Sequence, residues 1–359
     1  MPEPSAGAPD MSRVIRLARH GVVSSALAPL GDRRLAELVE AAPCLGSGVG
    51  GATALLEVEG RPVFVKRVPL TDLERRPENI RSTANLFGLP AFCHYGLGLG
   101  SGFGAWRELA AHVLTTGWVL GGHYEGFPLL HHWRVLPGPA AGEGAELEEA
   151  VAYWESSPAV RARLESVASA SAAVVLFLEY IPHDVSRWLE AQAALGDDAA
   201  GAACSLLDRE LAAGVRFMNA NGLLHFDAHF GNILTDGRRL YFTDFGLAAA
   251  PGFECSAAER AFLRLNAGHD ESYAARELVN RVLVTLSRPP GRAELLELVR
   301  QGACGGDLPG VPEPVAEVVR RHAPVAAVMN DFYGKLFDET RTAPYPAAAI
   351  HHARSFLSL

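Results

Sequence analysis

Residues 222–234 read GLLHFDAHFGNIL and place His225, Asp227, His229 and Asn232 between apolar flanks. Their types allow more than one chemistry. Imidazole and carboxylate both suit zinc or iron, and His225, Asp227 and His229 alternate along the chain. Alternate positions project to one side only on a strand, and Gly231 with its polar neighbours favours a loop. No second cluster completes a ligand set, because His131-His132 and His351-His352 are adjacent pairs whose side chains diverge. Taken alone, the stretch reads as a polar turn with histidines satisfied in a core.

It does not stand alone. Asp244-Phe245-Gly246 follows Asn232 at the end of an expected strand, RLYFTDF, after a turn at Asp236-Gly237. Asp244 and Asn232 offer the oxygen donors that Mg²⁺ prefers. Upstream, Gly46-Ser47-Gly48 and Gly51 open an expected hairpin whose second strand carries Lys66.

Several elements must position these groups. The hairpin turns at Glu59-Gly60-Arg61-Pro62, with Gly and Pro setting the turn. A helix is expected over 32–41, and another in AWRELAAHVLTTGW, where Leu109, Val113 and Leu114 stand at helical spacing. PLLHHWRVL reads as a strand, and the continuous apolar run AVVLFLEYI at 173–181 as a buried one. Leu207, Leu211, Val215 and Met218 form a helical stripe ending at Asn221-Gly222, a C-cap signal. Residues 1–12 read as a tail, 71–104 as irregular, and 257–359 as mostly helical.

The glycine-rich start, the strand lysine, the H-x-D-x-x-x-x-N loop and the Asp-Phe-Gly triplet occur in one order over residues 45–250. In that order they resemble the protein-kinase-like superfamily. The resemblance implies an α+β, bilobal fold. A tail over 1–31 would precede a β-rich N-lobe over 32–181 and a mainly helical C-lobe over 182–359. It implies ATP and Mg²⁺ as cofactors. Gly46, Ser47, Gly48 and Gly51 would let backbone N–H groups approach the phosphates without Cβ clashes. Lys66 would neutralise the α- and β-phosphates, held by Glu108 on the helix before the next strand. Glu74 and Glu78, nearer in sequence, are the alternatives. Asp227 would orient the acceptor hydroxyl and take its proton, while Asn232 and Asp244 would hold Mg²⁺. His225 would pack beneath the Asp-Phe-Gly turn. Glu179-Tyr180-Ile181 falls where adenine is bound through the backbone of Glu179 and Ile181, with Leu178 as gatekeeper. Asp270 would brace the 225–232 loop.

The departures from the protein-kinase pattern concern the branch. Phe226 replaces the arginine that would pair with a phosphorylated segment, and Ser256 is the only side-chain hydroxyl between Gly246 and Asp270. His229 stands where Ser/Thr kinases carry lysine, and the loop is similar to the D-x-H-x-G-N loop of aminoglycoside and choline kinases. Asp244-Phe245-Gly246 is closer to protein kinases, and Phe64 is bulkier than the usual alanine. Two further features belong to neither branch. Gly100-Ser-Gly102-Phe-Gly104 imitates a dinucleotide fingerprint, but AFCHYGLGLG is a poor strand. The segment is expected to be a mobile loop that could cover the cleft. Residues 138–170 read as an insertion with helix near 145–168, whose Glu143, Glu146, Glu148, Glu149 and Glu155 form a solvated face or recruit a cation.

The 359 residues suffice for one large or two ordinary domains, and their composition is globular. A net charge of −9 argues against a general nucleic-acid binder. Five scattered cysteines without a C-x-x-C pair suggest neither a disulfide framework nor a thiolate metal site. The N-terminus lacks a signal-peptide pattern and no long apolar run suggests a membrane span, so a soluble, cytoplasmic protein is expected. Nothing bears on oligomeric state.

Three functions follow from the resemblance. The first is an ATP-dependent kinase of a small-molecule hydroxyl, slightly favoured by His229 and the bare segment after Gly246. The second is an atypical Ser/Thr protein kinase, supported by the Asp-Phe-Gly triplet. The third is a non-catalytic nucleotide-binding scaffold, against which every catalytic group is retained.

Overall fold

The computed structural model describes residues 11–48, 51–96, 102–138 and 147–355. Helices α1 (Met11–Leu27) and α2 (Asp32–Ala41) precede strands β1 (Cys44–Gly48), β2 (Gly51–Val58) and β3 (Arg61–Leu70). Two short 3-10 turns, Pro77–Asn79 and Ala91–Tyr95, lead into α3 (Ala105–Leu120) and β4 (Leu130–Pro137). Then come α4 (Leu147–Tyr153), α5 (Pro158–Ala168) and β5 (Ala172–Glu179). The remainder runs β6 (His183–Asp184), α6 (Val185–Ala194), α7 (Asp197–Ala220), β7 (Ile233–Thr235) and β8 (Leu240–Phe242). Five helices close the chain: α8 (Ala257–Leu265), α9 (His269–Leu286), α10 (Arg292–Ala303), α11 (Glu313–Asp338) and α12 (Ala347–Ser355).

The architecture is α+β. One antiparallel sheet has the order β1-β2-β3-β5-β4, and a smaller one has the order β6-β7-β8. The packing of β5 explains why it is apolar from Ala172 to Leu178. Ala173, Val175 and Phe177 pack with Val23, Leu27, Leu35 and Val39 of α1 and α2. Val174, Leu176 and Leu178 pack with Trp106 and Leu109 of α3. Helices thus cover both faces, so alternation of polar and apolar residues has no place in this strand even though its neighbours are antiparallel. Burial of each large aliphatic chain contributes about 1.5–3 kcal/mol.

Several expectations need correction. The hairpin between β2 and β3 turns on Glu59 and Gly60 alone, at φ 50° and 66°, the left-handed pair of a two-residue turn. Pro62 already lies in β3, opposite Glu57. The stretch taken for a tail contains α1, whose inward face carries Arg16, His20, Val23 and Leu27. A face headed by arginine and histidine does not register as an apolar stripe. Leu109 of α3 is buried as expected, but Val113 is 45% exposed, and Arg107, Glu108, His112 and Thr115 of that helix are buried as well. The helix packs Trp106 and Leu109 on the sheet and turns Arg107 and Glu108 to the buried cation–carboxylate pairs with Glu259 and Lys66.

Other elements fall where the sequence places them. α2 spans Asp32–Ala41, and Leu207, Leu211, Val215 and Met218 of α7 are buried. Gly222, at φ 76°, follows the Asn221 cap, and a Cβ there would stand 2.4 Å from Pro251 Cγ. Helices α4 and α5 occupy the described part of the expected insertion and bury Trp154 and Val160. Glu148 pairs with Arg161 on the surface, whereas Glu143 and Glu146 lie outside the described residues. Among the described residues, no helix is long and apolar enough to cross a membrane.

Candidate active site

Lys66 lies on the face of β3 turned towards α3, opposite Thr53 of β2 and Leu176 of β5. Its Nζ stands 2.8 Å from Glu108 Oε1 and 2.9 Å from Asp244 Oδ1. Lysine and glutamate are almost fully buried, while the Asp244 side chain is 38% exposed. The contacts are ion pairs without the angles of good hydrogen bonds. Burial works against the charge on Lys66, but Asp244 and Glu108 outweigh it and raise the ammonium pKa. Burial likewise pushes Glu108 up, against the pull of Lys66. Asp244 moves the other way, because Lys66 overcomes its desolvation.

The other glutamates near Lys66 in sequence do other things. Glu74 is buried and accepts from Thr71 N and Oγ1, Ala105 N and Arg163 Nη1, whereas Glu78 is exposed.

The 225–232 loop is fastened from beneath. Asp270 of α9 accepts from His225 N at 2.7 Å and Phe226 N at 2.9 Å. Burial opposes ionisation of Asp270, but the His269 hydrogen bond and charge, His225 and the loop amides hold its pKa below the ordinary value. This anchorage fixes Phe226 at φ 63°, and Asp244 sits at φ 63° as well. Two non-glycine residues in the left-handed region, one in each segment of the site, are strain that the surrounding bonds must sustain. His225 is buried against the Phe245 ring, with Nε2 3.0 Å from Thr243 O and Nδ1 accepting from Asp227 N. Those partners put its proton on Nε2, and burial keeps the ring neutral.

Asp227 and Asn232 face each other. Asn232 Nδ2 donates to Asp227 O at 3.0 Å and to Asp227 Oδ2 at 3.1 Å. His229 turns its Nδ1 back to Gly231 N, leaving Nε2 4.0 Å from Asp227 Oδ1. Burial, then the charges of Asp244 and Glu277, push Asp227 up to about 7 despite the Asn232 bond. The three alternating residues of the loop therefore do not converge on one point. His225 faces Thr243 and His229 faces Gly231, while His131 stands 2.9 Å from His20 of α1.

The glycine-rich start is partly described. Gly46 pairs with Thr53, which pairs with Lys66, so these residues align across three strands, about 10 Å end to end by strand spacing. Gly51, at φ 117°, has no room for a side chain, since a Cβ would stand 1.9 Å from Arg67 O. The backbones of Ser47 and Gly48 belong to β1, and residues 49–50 lie outside the described residues. Glu179 ends β5 opposite Val63, and Ile181 follows it, buried. The Glu179 carboxylate takes three bonds from Nε and Nη2 of Arg16 in α1, a partner that nothing in the sequence signalled. His112 and Glu277 were also missed, because both are single polar residues on otherwise ordinary helices. Ser256 caps α8 in a reciprocal box with Glu259.

Hard oxygen donors are present for a divalent cation. Asp244 Oδ2 and Asn232 Oδ1 have no partner among the described residues, and Asp227 is raised by burial and then by the Asp244 charge. No group of three or more His, Cys, Asp or Glu able to hold a metal occurs among the described residues. A site here would therefore rest on one carboxylate, one amide oxygen and the ligand's own oxygens.

The chain matches no protein-family model, and no curated protein matches it.

Proposed function

We propose that the protein is an ATP-dependent phosphotransferase of protein-kinase-like fold that moves the γ-phosphoryl group to a hydroxyl acceptor. The β-rich first part would form one lobe and the helical second part the other. One observation carries the reading. Lys66 Nζ is held between Glu108 and Asp244, and Asp227 and Asn232 stand in the same site.

Each group then has a task. Lys66 binds the α- and β-phosphate oxygens, and Glu108 keeps its ammonium pointed at them. Asn232 and Asp244 would hold Mg²⁺, which when bound neutralises charge on the phosphate oxygens. Asn232 also holds the Asp227 carboxylate in place through its amide. Asp227 accepts the acceptor's O–H proton as the O–Pγ bond forms and the bond from Pγ to the bridging oxygen of ADP breaks. Its raised pKa, about 7, gives it the proton affinity suited to that step near neutral pH. His229, neutral through burial, lines the acceptor side as a positioning residue.

The test separates binding from transfer. Asp227→Ala should abolish transfer of labelled γ-phosphate and leave MgATP affinity unchanged by calorimetry. Asp244→Ala should abolish Mg²⁺-dependent nucleotide binding. Turnover retained in the first variant, or unaltered MgATP affinity in the second, removes that residue from the mechanism.

A further inference from the structure

We infer that the acceptor is a small alcohol rather than a polypeptide, and that Gly96 determines which alcohols reach Asp227; this rests on the phosphotransferase reading above.

A polypeptide acceptor held in extended form needs a row of unpaired main-chain groups beside the proton acceptor. The segment after Asp244 is where such a row would lie, and the chain has already used it. Gly246 O accepts from Phe103 N at 3.1 Å, and Leu247 O accepts from His94 Nδ1 at 2.8 Å. Ala248 N donates to Phe245 O, and Ala249 pairs through both N and O with Leu224. Further along, Glu254 N donates to Thr83 Oγ1 at 2.9 Å, and its carboxylate accepts from Ser82 Oγ and Thr83 N.

These partners come mainly from residues 82–96 and 102–104, between β3 and α3. That stretch cannot be displaced cheaply. Leu89, Cys93, Tyr95 and Phe103 share a buried cluster with Leu247, and Tyr95 donates to Asn266 at 2.7 Å. Arg107, next along α3, closes the same side with a buried ion pair to Glu259 at 3.1 Å. Lifting the stretch to admit a peptide would expose this cluster and break these bonds together.

Gly96 ends the 3-10 turn Ala91–Tyr95 at φ 69°. A Cβ there would stand 3.2 Å from Asp227 Oδ1 and 3.0 Å from Leu247 Cδ1. The space in front of the Asp227 carboxylate is therefore bounded by a bare backbone, and a methyl group at position 96 would occupy the approach of the acceptor oxygen. Left-handed geometry alone does not make this point, because Gly88 in the same stretch has φ 63° and open space around it.

That contrast supplies the control. Wild type, Gly96→Ala and Gly88→Ala are incubated with γ-labelled MgATP and a cell extract divided into dialysable and protein fractions. Wild type should label the dialysable fraction only. Gly96→Ala should lower that labelling by roughly 100-fold at unchanged MgATP affinity. Gly88→Ala, which carries the same backbone strain without the contact, should label as wild type does. Label confined to proteins or found in neither fraction, or equal losses in the two variants, overturns the inference. If wild type fails to bind MgATP by calorimetry, the phosphotransferase reading itself falls. If it binds MgATP and labels proteins, only the inference about the acceptor falls.

Discussion

Two buried glutamates at α3, Glu74 and Glu108, are each paired with a cation, and their surroundings differ. Glu74 is saturated, since one oxygen accepts from Ala105 N and the other from Thr71 and Arg163. Its site is so closed that Gly104 has no room for a side chain, as a Cβ would stand 2.9 Å from Glu74 Oε1. Glu108 is the opposite case. Its Oε1 meets Lys66 Nζ without a well-aligned hydrogen bond, and neither ring nitrogen of neighbouring His112 has a hydrogen-bond partner among the described residues. Buried polar groups are ordinarily satisfied, and four atoms that are not lie together here, on Lys66, Glu108 and His112, beside others elsewhere in the fold. The saturated pair is a fastener. In the proposed function, the less satisfied one is the pair that meets the phosphates.

The comparison can be broken at several points. The largest effect is expected from Lys66→Met, which should lower phosphoryl transfer by about 100- to 1,000-fold or more in a single-turnover assay. Glu74→Gln should act on stability instead, costing about 3–5 kcal/mol in denaturant unfolding because Arg163 loses its buried counter-charge. Its kcat per folded molecule should be unchanged. A Glu74→Gln variant with normal stability and low kcat would erase the distinction between the two carboxylates. The smallest effect concerns Asp227 in the ligand-free protein. Its carboxyl is raised from 3.8 to about 7 by folding, so the folded state binds the extra proton between those values. Ionising it therefore costs stability progressively across that window and fully above it. Asp227→Asn should raise Tm at pH 8 by on the order of a few degrees, with no gain below pH 4. A uniform shift at all pH values would mean that its charge is not what strains the site.

How much of this was legible in the sequence depends on whether a residue's partner is near it in the chain or carries a recognisable spacing. The 225–232 loop, the Asp244 turn and Lys66 stood out because each lies in a dense local pattern. Glu108 was preferred over Glu74 and Glu78 only through family resemblance, and the 2.8 Å contact with Lys66 is a product of tertiary packing. Asp270 was named as a brace on the same ground, and its two bonds to the loop amides depend on how α9 packs beneath the loop. Gly96 could not be singled out among the glycines of 96–104. Its importance comes from Asp227, far along the chain, and residues 97–101 of that stretch lie outside the described residues. Helix α1 was missed for the converse reason. Its local pattern is present, but a buried arginine interrupts the apolar face on which such patterns are recognised.

That arginine has a consequence for anyone shortening the chain. Arg16 accepts company from both sides, with Nη1 2.8 Å from Glu125 Oε2 and Nη2 2.7 Å from Glu179 Oε2, and it also donates to the Phe127 carbonyl. Starting expression at Asp32, as a tidy boundary would suggest, removes the cation that Glu125 and Glu179 share at the rim of the proposed nucleotide cleft and leaves Glu125 only Arg239, at 3.8 Å. A loss of nucleotide binding in such a fragment would speak of the missing arginine, not of the groups around Lys66.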